Sequence, residues 1–262
     1  MRRIAAVAKN TFREAARNKI LYSLLFFALG LIISALALGQ LSVHEDQRMI
    51  RDVGLFGVDV FSVLIAIFVG VNLLYKELAL KTVYTILPKP IARWEFVLGK
   101  WLGVMATLVA QIVIMGLVLA LTLMAAGGTG AVDVGLAKAL WLLLMNVTIV
   151  TSVAMFFSAF SSPFLSGLFA LGVFVLGRSI PDVRALGERM GGAGGRILTT
   201  SCALLPNLHL YTPSGAALAG TPSVAGSFVG ATYLGWTTGY AIGYSAVVLA
   251  CAMLIFRRRD FV

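Results

Sequence analysis

The sequence predicts an all-α polytopic membrane protein: six transmembrane helices, an N-terminal amphipathic interfacial helix and a helix-bearing cytoplasmic loop. Three observations predict it. Of the 262 residues, 60% are hydrophobic and only 12% are charged, against about 45–50% and about 25% in soluble domains. The mean hydropathy is +0.95. The apolar residues gather into runs of membrane-crossing length, and the Lys and Arg residues gather at the ends of those runs. The whole chain, 1–262, reads as one transmembrane domain.

The net charge of +10 would suit a nucleic-acid partner, but its distribution does not. Cations at the ends of apolar runs orient helices and touch anionic lipid head groups. No nucleic-acid partner is expected. Cys202 and Cys251 are far apart, and Cys251 lies inside an apolar run, so no disulfide framework is implied.

Residues 1–19 form the predicted interfacial helix. Ile4, Ala5, Val7, Ala8, Phe12, Ala15 and Ala16 fall near helical spacing with Arg and Lys between them, the pattern of a helix lying in the head-group region. The 19-residue basic flank exceeds the basic region of a signal peptide, so cleavage after Ala35-Leu36-Ala37 is not expected.

The first span is read over 20–40. At about 1.5 Å per residue it reaches about 31 Å, enough for the hydrocarbon core. A polar loop, SVHEDQRMIRDV, leads to the second span over 54–75. The third, 101–126, ends at Gly127-Gly128-Thr129-Gly130. The fourth is 136–160. A short Ser161-Ser162-Pro163 turn opens the fifth, 164–180, with Arg178 expected to snorkel at its end. Residues 181–230 form a long extracytoplasmic connection, rich in Gly, Ser, Thr and Pro, with amphipathic pieces at 182–190 and 197–205. Short helices are expected there, at the outer surface or dipping into the membrane. The sixth span is 231–256.

Orientation follows from the cations. The flank up to residue 19 has six Lys/Arg, the 76–100 stretch has five and the C-terminus three. The 41–53 and 127–138 loops have two and one. Both termini and the 76–100 stretch are therefore placed inside.

That stretch, KELALKTVYTILPKPIARWEFVLGK, carries the functional signal. Glu77 to Leu87 has helical character, with Glu77 and Lys81 four residues apart. Pro88 and Pro90 stop it, since each lacks an N–H and restrains the preceding residue. Ile91 to Leu98 restarts a short helix bearing Arg93, Trp94 and Glu95. The product is a stiff corner between two helical arms, able to transmit displacement; the plainer reading is a polar inside loop.

Within spans, Asp59 is the one acidic residue well inside an apolar run. It is either functional, as intramembrane ionisable groups are by default, or an interfacial carboxylate paired with Lys138 or Arg178. Asn146, Thr148, Thr151 and Ser152 either line a polar path or bond across helices. Gly235, Gly239 and Gly243 make a smooth stripe, as do Gly99 and Gly103, and close packing within the chain is expected ahead of a dimer seam. His44 and His209 lack ligand spacing, and no nucleophile–base set or carboxylate pair appears, so neither a metal nor catalysis is expected.

The 76–100 stretch resembles the cytoplasmic loop of ABC-2 type permeases, the membrane subunits of a class of ABC transporters. The matching residues are Glu77, Thr82, Thr85, Leu87-Pro88, Pro90-Ile91-Ala92-Arg93 and Gly99-Lys100. Leu204-Leu205-Pro206-Asn207 resembles an element of the NosY-like branch, and Phe256-Arg257-Arg258-Arg259-Asp260-Phe261 resembles the family's basic terminus. Lys76-Glu77-Leu78-Ala79 departs from the more charged, Gly-containing form. The resemblance implies a permease, an exporter by family habit, that works as a homo- or heterodimer in the bacterial cytoplasmic (inner) membrane. It implies two ABC ATPase subunits docking on Glu77, Lys81, Thr82, Thr85, Pro88, Pro90, Arg93, Trp94, Glu95 and Lys100. The chain has no G-x-x-x-x-G-K-[ST] loop: Trp94 stands where the first glycine belongs and Trp101 follows Lys100. ATP and Mg would be bound by the partner, and none by this chain. Two other classes fit the composition: a secondary transporter, which needs repeats and midplane charges, and a membrane scaffold.

Overall fold

The computed structural model describes residues 2–39, 46–79, 92–127, 132–212 and 230–258. Among these residues there is no strand. The elements are α1 (Arg2–Ala15), α2 (Lys19–Gly39), α3 (Asp46–Ala79), α4 (Arg93–Gly127), α5 (Val134–Ser158), α6 (Pro163–Arg178), α7 (Ile180–Met190), α8 (Gly192–Leu204), a 3₁₀ turn (Leu208–Tyr211) and α9 (Ala231–Arg258).

Five helices, α2, α3, α4, α5 and α9, are long and apolar enough to cross a membrane. The sixth expected crossing is not one straight helix. α6 and α7 meet at a 67° bend and make one span only if counted together. Ser179, at φ −90° and ψ 10°, interrupts the helix, and Pro181 in the first turn of α7 has no N–H to extend the α6 ladder across the break.

α3 and α5 form the centre. In α5, 72% of the most apolar stretch is buried, and in α3 67%, against 22% each for α2 and α9. An all-round apolar helix belongs inside. α3 packs against α2, α4 and α5, while α9 covers the other side of α5. One core cluster joins Ala66, Leu108, Leu142 and Val150 around α5; a second joins Ile32, Leu55, Leu119 and Leu143 further along the bundle.

Two boundaries differ from the sequence reading. The second helix begins at Asp46, inside the stretch read as polar loop. Arg51 reaches Asp133 at 3.1 Å, and Asp133 also caps α5 by accepting the Leu136 N–H at 3.0 Å, so charge on this turn serves tertiary contact. The short helix read over 91–98 and the separate span from 101 are one continuous helix, Arg93–Gly127.

α1 is amphipathic as expected, but its apolar stripe lies on a neighbouring helix. Ile4 and Val7 meet α4 at Gly99, and Ala8 and Thr11 meet it at Gly103. A Cβ on Gly103 would stand 2.6 Å from the Ala8 carbonyl oxygen, and one on Gly99 2.8 Å from Val7 Cβ. Glycine at both positions is what lets the two backbones approach.

Candidate functional site: a capped helix and a charged pair in the core

The helical arm of α3 carries the chain to Ala79; Glu77 is part of it. Lys81, Thr82, Thr85, Pro88 and Pro90 lie outside the described residues. The chain resumes at Ala92, whose N–H donates to Glu95 Oε2 at 3.1 Å. Glu95 is the third residue of α4, so it makes the return half of a capping box. A local sequence signal thus sets where the helix restarts.

From there α4 runs unbroken into the bundle, and its first turns are tied down. Val97 packs with Met155 of α5, joined by Phe96, Trp101 and Met253. Trp101 Nε1 donates to Ser152 Oγ at 3.0 Å. Trp94 is exposed and is free to meet a partner surface. Lys100 is not: it is 2% exposed, with its ammonium 5.3 Å from the centre of the Phe96 ring, a cation–π geometry. Its expected role as a surface contact does not fit this position.

Deeper in the bundle lies the charged site. Asp59 of α3 is 1% exposed. One carboxylate oxygen, Oδ1, accepts from Asn146 Nδ2 at 2.9 Å. The other, Oδ2, accepts from Arg178 Nη1 in an ion pair. Asn146 is the central residue of α5, so the contact sits at mid-helix depth. Arg178 comes from the last residue of α6, where it turns inward instead of snorkelling outward. Its guanidinium also lies 5.9 Å from the centre of the Phe174 ring. Of the two partners open to Asp59 from sequence, Arg178 is the one it takes.

The other polar residues of α5 divide between the two readings. Asn146 and Ser152 bond across helices. Thr148 donates to the Leu144 carbonyl at 2.7 Å and Thr151 to the Val147 carbonyl at 2.7 Å, the local back-bonding typical of apolar helices. All four are buried.

Alongside, α3 and α6 enclose an apolar groove of about 430 Å³ lined by Leu64, Ile67, Phe68 and Val71 from α3 and by Phe164, Gly167, Leu168 and Leu171 from α6. Sequence reasoning missed it, because α6 is apolar on every side and its lining face has no distinguishing residue type. Beyond it, the α6 end abuts the Leu-Pro-Asn element: a Cβ on Gly177 would stand 2.6 Å from the Pro206 carbonyl oxygen.

Among the described residues, a Cβ at Gly235, Gly239 or Gly243 would meet nothing within 4 Å. This stripe of α9 therefore packs on none of the described helices, contrary to the expectation from spacing. Among the described residues there is no cluster of three or more His, Cys, Asp or Glu placed to hold a metal.

The family model described as ABC-2 family transporter protein matches residues 5–261. No curated protein matches the chain.

Proposed function

The chain belongs to the ABC-2 transporter family, and from that premise we propose that it is the permease subunit of an ABC exporter, driven by a separate ATPase. The observation that carries the proposal is the continuity of α4. One helix of 35 residues leads from the capped turn beside the 76–91 segment into the centre of the bundle. A force applied at Trp94 and its surroundings reaches α5 through Val97–Met155 and Trp101–Ser152, without an intervening hinge. Rigid elements of this kind carry rigid-body transitions between two states.

In this proposal two ATPase subunits, holding ATP and Mg, grip the 76–100 region from the cytoplasm. A second permease subunit, the same or different, completes the path. Both termini face the cytoplasm of a bacterial inner-membrane protein, as the cation distribution supports. The Leu204-Leu205-Pro206-Asn207 element supports the NosY-like branch as the finer placement. The groove between α3 and α6 is the part of the path this subunit contributes.

A broken helix beside a charge at mid-depth is also a feature of secondary transporters, so the test must separate the two. The chain is reconstituted in proteoliposomes with the ATPase encoded beside it. An ABC permease changes that ATPase's turnover and co-purifies with it; turnover indifferent to the chain, with no complex formed, rules the proposal out.

A further inference from the structure

α6 is held to the bundle by unequal means. The residues it buries are Ser166, Ala170 and Gly177, and Ser166 Oγ is buried without a hydrogen-bond partner. Such a face lets the backbones approach closely, and Val173 and Phe174 pack against the core beside it. The strong tie is at the end, where Arg178 pairs with buried Asp59. The same tie stands in line with the groove. Gly167, Leu171, Phe174 and Arg178 recur at spacings of four, three and four, and so share one face of α6. Gly167 and Leu171 line the groove. Arg178 lies seven residues beyond Leu171, about 10 Å along the helix. On α3, Asp59 lies five residues beyond Leu64, about 7.5 Å. The two helices that form the groove walls are therefore bridged by a charge pair at one end of it.

We infer that the Asp59–Arg178 pair is a releasable gate at the outer end of the α3/α6 groove. Closed, it holds the end of α6 against α3 and α5 and stops the groove short of the outer side. Open, α6 swings relative to the α7–α8 pair about the Ser179 break, and the groove reaches the exterior. The neighbours of each charge suit two states. Asp59 keeps the Asn146 amide as a donor when Arg178 leaves, and Arg178 keeps the face of Phe174, which travels on its own helix. Neither charge is stripped of every partner by the change, so opening costs less than leaving one ion buried with no partner at all. The orientation of this gate rests on the proposed permease reading; the switch itself does not.

The test uses the full chain in lipid vesicles with Cys202→Ala and Cys251→Ala, and spin labels at Phe56→Cys on α3 and Leu176→Cys on α6, both exposed positions. Distance distributions are measured without ATPase. The parent should give one narrow distance. Asp59→Asn and Arg178→Gln should each raise a longer-distance population about tenfold or more, as expected when one member of a buried pair is removed. Asp59→Arg with Arg178→Asp should return the narrow distance. Arg178→Lys, a milder change that keeps the charge, should give an intermediate population and serves if the others fail to fold. An unchanged narrow distance in any monodisperse single variant overturns the gate. A shifted distance with no ATP-driven transport in the complete complex keeps the gate and removes the permease reading.

Discussion

Trp101 and Ser152 are the point at which α4 grips α5: the indole N–H donates to the hydroxyl oxygen at 3.0 Å. The serine hydroxyl in turn donates to the Thr148 carbonyl at 2.9 Å, so the bond ends in the backbone of the most enclosed helix. The two helices are thereby joined near the capped start of α4.

Replacing either partner should show this. Trp101→Phe removes the donor together with part of the indole volume, a packing loss the double-mutant cycle subtracts, and Ser152→Ala removes the acceptor. Loss of the bond is expected to cost each about 1 kcal/mol of stability. In a double-mutant cycle the two should be coupled by about 1 kcal/mol rather than additive. Thermal unfolding of the four proteins in detergent measures it, and additivity would show that the bond contributes nothing. In the complex, Trp101→Phe should weaken the response of ATPase turnover to this subunit.

The glycine stripes give a contrasting pair of predictions. Gly103→Ala puts a methyl group 2.6 Å from the Ala8 carbonyl oxygen, a backbone atom that cannot rotate away. A cost of about 1–3 kcal/mol is expected from overpacking, partly offset by about 1 kcal/mol of helix propensity. Gly239→Ala meets open space, and should leave the unfolding midpoint unchanged or higher. If Gly239→Leu lowers the mass of the purified oligomer while Gly239→Ala keeps the monomer stable, the α9 stripe is where a second subunit sits.

These two stripes show how far the sequence can be read. Spacing of four names a helix face and nothing more. Gly99 and Gly103 face α1, and Gly235, Gly239 and Gly243 meet none of the described residues; the same residue pattern serves both. The number of spans, within one broken helix, and the amphipathic character of α1 follow from local composition and were legible. The helical start at Asp46–Val53 was not, because Arg51 there pairs with Asp133, more than eighty residues away. Asp59 was recognisable as an ionisable group in a span, yet the choice of Arg178 depends on the inward turn at the end of α6. That choice belongs to tertiary structure.

The end of the bundle that carries Tyr211 should respond to alkali. Tyr211 is buried in the 3₁₀ turn, and its hydroxyl donates to the Thr237 carbonyl at 2.7 Å. Burial, helped by the neighbouring Tyr240 and Tyr233, pushes its pKa above the ordinary 10.0. Below pH 10 both folded and unfolded chains hold the proton, and the contribution to stability is full. Above pH 10 the unfolded chain gives up its proton first, so stability falls as pH rises through the folded value. Stability should therefore be flat on the near side of pH 10 and decline beyond it. Tyr211→Phe should cost about 1 kcal/mol at neutral pH and flatten part of the alkaline decline. A decline identical in the variant would assign the effect to other tyrosines.

The stability of the Asp59–Arg178 pair makes a prediction separate from its movement. A pair inside a bundle pays desolvation on both ions, and its attraction and hydrogen bonds roughly offset this. Removing one ion leaves the other buried and unmatched. Arg178→Ala should thus destabilise by about 3–5 kcal/mol, since Asp59 is 1% exposed and would retain only the Asn146 amide. Asp59→Ala should cost less, because the Arg178 side chain is 31% exposed and can turn toward lipid head groups or water. Asp59→Leu combined with Arg178→Met, which removes both charges and keeps the volume, should come within about 1–2 kcal/mol of the parent. Chemical unfolding in detergent compares all three. Equal losses for the two single alanine variants would contradict the asymmetry of burial, and a double variant as unstable as Arg178→Ala would mean that the pair contributes net stability to the fold.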